Sequence, residues 1–321
     1  MRPAALLLLT AASCTTVSHP GPPAPGPLPS DGDGRGTPLS EAKRGWPSPS
    51  RAPTLPLAPE VPAPAPVQDP LATIHDELGP SVPIVTESPF LLAGPGWTLA
   101  SLHTVTDLVH RALDALYTGR FTTHPTRPVA VYLFSSKAPY EQFCQSRFHE
   151  ECMSPFGFYR PDVRTIVMNA GPGIGTLTHE IIHPLVEADF PGAPSWIDEG
   201  IASLFEAPVL PRAGEIHGAK NWRLPRLLAA IGSHKKHGLA RLDALFGMSD
   251  ATFRDDDETL HYAMARYACQ WLDQRGKLWA FYRAWRDGKD ADPTGERAFA
   301  SVMGQTPAEA NEAWQAWATR L

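Results

Sequence analysis

Two imidazoles and a carboxylate stand within five residues of one another: His179, Glu180 and His183, in the order H-E-I-I-H. On a helix, residues four apart share a face. His179 and His183 can therefore grip one divalent cation, with Glu180 close enough to act on a water at that cation. Sixteen residues beyond His183, the segment P-S-W-I-D-E-G (194–200) contains Glu199. That separation allows a helix, a turn and a second helix, so Glu199 can return as a third ligand. The spacing of the two histidines is the one that a zinc hydrolase needs.

Rival ligands are weaker. Asp189 lies six residues after His183, but a ligand that close needs a glycine at position 186 to turn the chain, and Val186 stands there. Glu187 is four residues from His183, yet a further turn along, and reads as a surface residue. The cysteines have no C-x-x-C spacing, which argues against a cysteine-rich metal site. The acidic run 255–258 lacks the spacing of a calcium loop and reads as a solvated turn that favours a helix N-terminus.

The site needs elements to position it. Gly171-Pro172-Gly173 breaks the chain ahead of the motif, so its helix is expected to begin near Thr176 and to send Leu177, Ile181, Ile182, Leu185 and Val186 into the core. Pro184 cannot donate to the Glu180 carbonyl, and a bend or an early end is expected just after His183. Pro191 and Pro194 bracket the turn to a second helix over 195–205, with Ser195 as its N-cap. Upstream, 98–117 has helical apolar spacing, 129–134 reads as a strand and 139–148 as a short helix. Residues 156–159 and 164–168 read as a hairpin. Downstream, 224–231, 239–246, 259–274, 277–286 and 307–321 all have helical patterns.

Composition divides the chain. Proline makes up 35 of 321 residues, and most of the excess precedes residue 96. Residues 15–70 therefore read as an extended linker, and 71–321 as the folded domain. Within that domain the β-containing part reaches to about residue 190, and 191–321 is helical. A net charge of −6 without a basic cluster excludes nucleic acid as an expected partner. Arg2, the apolar run 4–12 and the small residues before Cys14 have the form of an export signal ending in a lipobox. Residues 1–14 are then a leader, and Cys14 a lipidated membrane anchor. Cys144 and Cys152 could pair in an oxidising compartment, while Cys269 sits in an apolar helical pattern as a buried thiol.

Taken together, H-E-x-x-H (His179, Glu180, His183) followed by W-x-x-E-G (Trp196, Glu199, Gly200) resembles the gluzincin-type zinc metallopeptidases, in particular the peptidase MA-like families. Gly157-Phe158-Tyr159, the strand at 166–168 and Tyr262-Ala263 add to the likeness, which spans roughly residues 97–287. The resemblance implies an α+β, zincin-like fold. A small mixed sheet would accompany the active-site helix, and a mainly helical half would follow. It implies Zn2+ held by His179, His183 and Glu199, with Glu180 as general base and Tyr262 as a donor to the oxyanion; His261 is a weaker substitute. Ser203 stands where many relatives have an acidic group that supports a ligand. The implied activity is hydrolysis of a peptide or protein substrate in the bacterial cell envelope, periplasmic or on the outer surface. No G-x-M-E-N-like segment precedes the motif, which favours an endopeptidase. The alternative is a catalytically silent zinc-binding lipoprotein that serves as a binding module.

Overall fold

The computed structural model describes residues 69–232 and 240–321. The expected leader, the lipidated Cys14 and the linker up to residue 68 lie outside the described residues. Asp69, the first described residue, caps α1 (Pro70–Leu78) with its carboxylate. Then come β1 (Ile84–Glu87), β2 (Phe90–Ala93), α2 (Leu99–Tyr117), β3 (Val129–Phe134), α3 (Lys137–Phe148), β4 (Gly157–Arg160) and β5 (Thr165–Asn169). The motif region follows as α4 (Leu177–Glu180), α5 (Ile182–Asp189) and α6 (Ser195–Leu204). The remainder is helical: α7 (Leu224–Ile231), α8 (Leu242–Phe246), α9 (Asp250–Phe253), α10 (Glu258–Asp273), α11 (Leu278–Gly288), α12 (Glu296–Met303) and α13 (Pro307–Ala318).

The fold is α+β, with one mixed sheet in the order β1-β2-β3-β5-β4. The pairs β2–β3 and β3–β5 are parallel, whereas both edges are antiparallel. β3 is central and buried throughout, which explains why it reads as a continuous apolar run rather than an alternating one. Its side chains still alternate between two cores. Val129, Val131 and Leu133 face the large core, shared with α2 and the helical half. Ala130, Tyr132 and Phe134 face a smaller core closed by Ile74 of α1 and by Tyr140 and Phe143 of α3. Cys144 and Cys152 form a disulfide with Cα atoms 5.4 Å apart, and Cys269 is a buried free thiol.

Local expectations fail in instructive places. Ser195 is the first residue of α6, not its cap. Pro194 holds the cap position, and the Ser195 N–H donates instead to Asp250 Oδ1 at 2.8 Å. The chain does not end its helix after His183. The interruption falls at Ile181, and α5 continues to Asp189. Pro184 thus lies in the first turn of a restarted helix, where its missing N–H has no intrahelical acceptor to satisfy. Ile181 keeps helical angles (φ −68°, ψ −20°), so the histidines on either side stay on one face.

Candidate metal centre

His179 and His183 project from α4 and α5 with ring centroids 5.0 Å apart. Glu199 arrives from α6. Its Oε2 lies 3.3 Å from His179 Nε2 and 4.0 Å from His183 Nε2. One ligand atom from each residue falls within 4.8 Å of the others, so this group could hold a metal ion. Donors at zinc-ligand distance in a tetrahedron stand roughly 3.3 Å apart, which the His179–Glu199 separation matches. The buried Glu199 Oε2 has no hydrogen-bond partner in the protein. A buried carboxylate oxygen left without a donor is costly, and a cation bound there would satisfy it.

Packing explains the convergence. Leu177, Ile181, Ile182, Leu185 and Val186 anchor α4 and α5 in the large core, as their spacing indicates, while Trp196, Ile197 and Ile201 anchor α6. Gly200 lets α10 press against α6. A Cβ at this position would stand 2.7 Å from Cys269 Sγ and 3.0 Å from the Ala265 carbonyl oxygen. The glycine beside Glu199 therefore has a packing reason, and it fixes the depth at which the carboxylate sits.

Electrostatically the site is a set of opposed charges in a buried place. Burial pushes the Glu180 carboxyl up, against the pull of His179 and His183. Its Oε2 is 4.0 Å from His183 Nε2, beside the ligand group. Burial would lower His183, but Asp198 and Glu199 overcome it and raise the imidazole to about 10. Glu199 is driven far down despite its burial, by His183, His179 and Arg254. Those acids favour the protonated His183 ring, and a metal bound there would compete with that proton.

Two residues escaped the sequence reading. Asp198 Oδ1 lies 3.0 Å from His183 Nδ1 and orients that ring. The Ser203 hydroxyl is buried without a partner, as is His179 Nδ1, so Ser203 packs and does not support a ligand. Arg254 Nη2 donates to Glu199 Oε1 at 2.7 Å, and its Nη1 to the Tyr262 hydroxyl at 2.8 Å. Asp198 was visible as a second acid next to Glu199. Arg254 carried no local signal.

Tyr262, on α10, lies on the Arg254 side of Glu199. Its hydroxyl accepts from Arg254 and keeps its own proton, held by burial and by the charge of Glu199. His261 is turned to the Phe253 carbonyl, with Nδ1 3.1 Å away. Asp189 is a structural group. It accepts from the Thr122 and Thr123 backbone and pairs with Arg286 at 2.8 Å. Glu187 accepts from the Tyr159 hydroxyl at 2.6 Å, away from the ligands. Of the acidic run, Glu258 opens α10 and Asp257 pairs with Arg226, in keeping with a solvated helix start. In comparisons with known proteins, the chain matches no family model and no curated protein.

Proposed function

We propose that this chain is a zinc-dependent, gluzincin-like peptidase acting on peptide or protein substrates outside the cytoplasm. The observation that carries the reading is the buried convergence of His179, His183 and Glu199, with the Glu199 Oε2 unpartnered and Glu180 beside it. His179, His183 and Glu199 would hold the zinc, whose Lewis acidity activates water and polarises a peptide carbonyl. Glu180, with its carboxyl pushed up by burial, suits the part of general base. It takes the proton from the attacking water and passes it to the leaving amine. Tyr262 retains a proton to donate to the developing oxyanion.

The sheet edge supports an extended substrate. Asn169 N–H donates to the Phe156 carbonyl, and Gly157 pairs with Met168. By the alternation of an antiparallel ladder, the backbone groups of Gly157 and Tyr159 face away from β5. β4 packs against α4 and is an edge strand; the Gly157 N–H is taken by the Ser154 hydroxyl at 3.4 Å, so among the described residues the outward backbone groups of Tyr159 are the ones to which an extended peptide could add. The Cys144–Cys152 disulfide supports an oxidising compartment, in line with the export signal and the lipidated Cys14 read from the sequence.

The test is metal content and turnover on peptide libraries. The parent is expected to hold one zinc and to cleave peptides, Glu180→Gln to keep the zinc without cleaving, and His179→Ala to lose both. Parent protein that binds no zinc would falsify the metal assignment. Zinc retention without cleavage by the parent would instead favour the silent binding module.

A further inference from the structure

We propose that Arg254 is a positioning residue that limits Glu199 to a single coordinating oxygen, an inference that rests on the metal reading above. A free carboxylate can engage a cation through one oxygen or through both. Here the two oxygens of Glu199 are already divided. Oε1 accepts from Arg254 Nη2 at 2.7 Å, whereas Oε2 is buried without a protein donor, 3.3 Å from His179 Nε2. With a guanidinium on Oε1, only Oε2 is left for a metal, and the rest of the coordination sphere stays free for water and substrate.

Arg254 is itself held firmly enough for this role. Its Nη1 donates to the Tyr262 hydroxyl at 2.8 Å and to Glu258 Oε1 at 3.4 Å. The Tyr262 ring is flanked by two guanidinium groups, Arg254 at 5.8 Å and Arg223 at 5.5 Å. The chain just before Arg254 is α9, and Asp250 of α9 accepts from the first N–H of α6, the helix that carries Glu199. Guanidinium and carboxylate therefore sit on segments tied to each other.

The consequence has an unusual sign. Arg254 draws charge from the carboxylate and adds a positive charge near the cation, so its removal strengthens Glu199 as a ligand. A residue that merely held the fold together would weaken metal binding when lost. The experiment replaces zinc with cobalt(II) in the full chain and reads visible absorption, which is intense for four-coordinate tetrahedral cobalt and weaker at higher coordination. Arg254→Met is expected to bind cobalt no less tightly than the parent, yet with a several-fold fall in visible absorbance as Oε1 joins the metal. Peptide cleavage is expected to fall with it. Arg254→Lys, whose ammonium can still engage Oε1, is expected to recover the parent spectrum. A parent-like spectrum in Arg254→Met overturns the proposal, as does an equal change in both variants. The Arg254 side chain is 49% exposed, so its loss is tolerable to the fold. Should Arg254→Met unfold, Arg254→Leu is read in the same way. If the parent itself binds no cobalt, the metal reading fails rather than the role of Arg254.

Discussion

Asp198 makes His183 a better partner for any cation, and a proton competes with a metal for that ring. The hydrogen bond from His183 Nδ1 to Asp198 Oδ1 is 3.0 Å long, and the Asp198 side chain is 29% exposed. Removing such a partner costs metal affinity about 10–100-fold, or roughly 1.4–2.8 kcal/mol. Partial exposure places the expectation toward the lower end, because water can replace the lost acceptor. The same substitution also lowers the proton affinity of His183, which stands at about 10 with Asp198 in place. Below that pH the two losses offset, since Asp198→Ala weakens the metal and its competitor together. Only above that pH, near pH 11, is the competitor mostly gone, and there the metal deficit emerges. Zinc affinity of parent and Asp198→Ala, measured by chelator competition, is therefore expected to differ little at pH 6.5 and by about tenfold or more at pH 11. A deficit that is equal at both pH values, or that shrinks as pH rises, refutes the reasoning.

Two further substitutions test the packing. Asp189→Ala removes the acceptor for Thr122, Thr123 and Arg286 and is expected to destabilise by about 3 kcal/mol in urea unfolding. Burial opposes ionisation of Asp189, but those donors win and depress its carboxyl. Its stabilisation is thus present above the unfolded value of about 3.9 and is lost as pH falls through the folded one, so the gap between variant and parent must narrow in acid. A gap that widens there sinks the account. Gly200→Ala is expected to cost about 1–3 kcal/mol by overpacking against Cys269 and Ala265, and to weaken zinc binding by displacing Glu199. Unchanged zinc affinity in a folded Gly200→Ala would show that the glycine does not set the ligand's depth.

The group of three side chains that could hold a metal ion was legible because it is local. His179, His183 and Glu199 lie on consecutive helices, and helical periodicity plus one turn brings them together. The long amphipathic helix α2 and the buried strand β3 were equally plain, because each carries enough apolar residues to declare a period. β1 and β2 were not read as strands. Each has four residues, and Ser88-Pro89 lies between them, so neither run establishes an alternation. The four-residue helix α9 was missed for the same reason, and α1 and α12 were not read either. Arg254 was invisible on different grounds. It reaches Glu199 across 55 residues of chain, and only the packing of α9 and α10 around α6 makes it a neighbour.

Pro184 joins the legible to the illegible. Its chemistry predicts a disturbed helix, but the position of the disturbance depends on which neighbouring turn yields. Leu185 and Val186 on one side and Ile181 and Ile182 on the other are all fully or almost fully buried. An end after His183 would have pulled Leu185 and Val186 out of the core. At about 1.5–3 kcal/mol per large apolar side chain, that loss exceeds the cost of one interrupted turn at Ile181. The helix therefore breaks on the N-terminal side of His183 and continues past the proline. The two imidazoles keep their common face because hydrophobic burial, not helix propensity, decides where the backbone gives way.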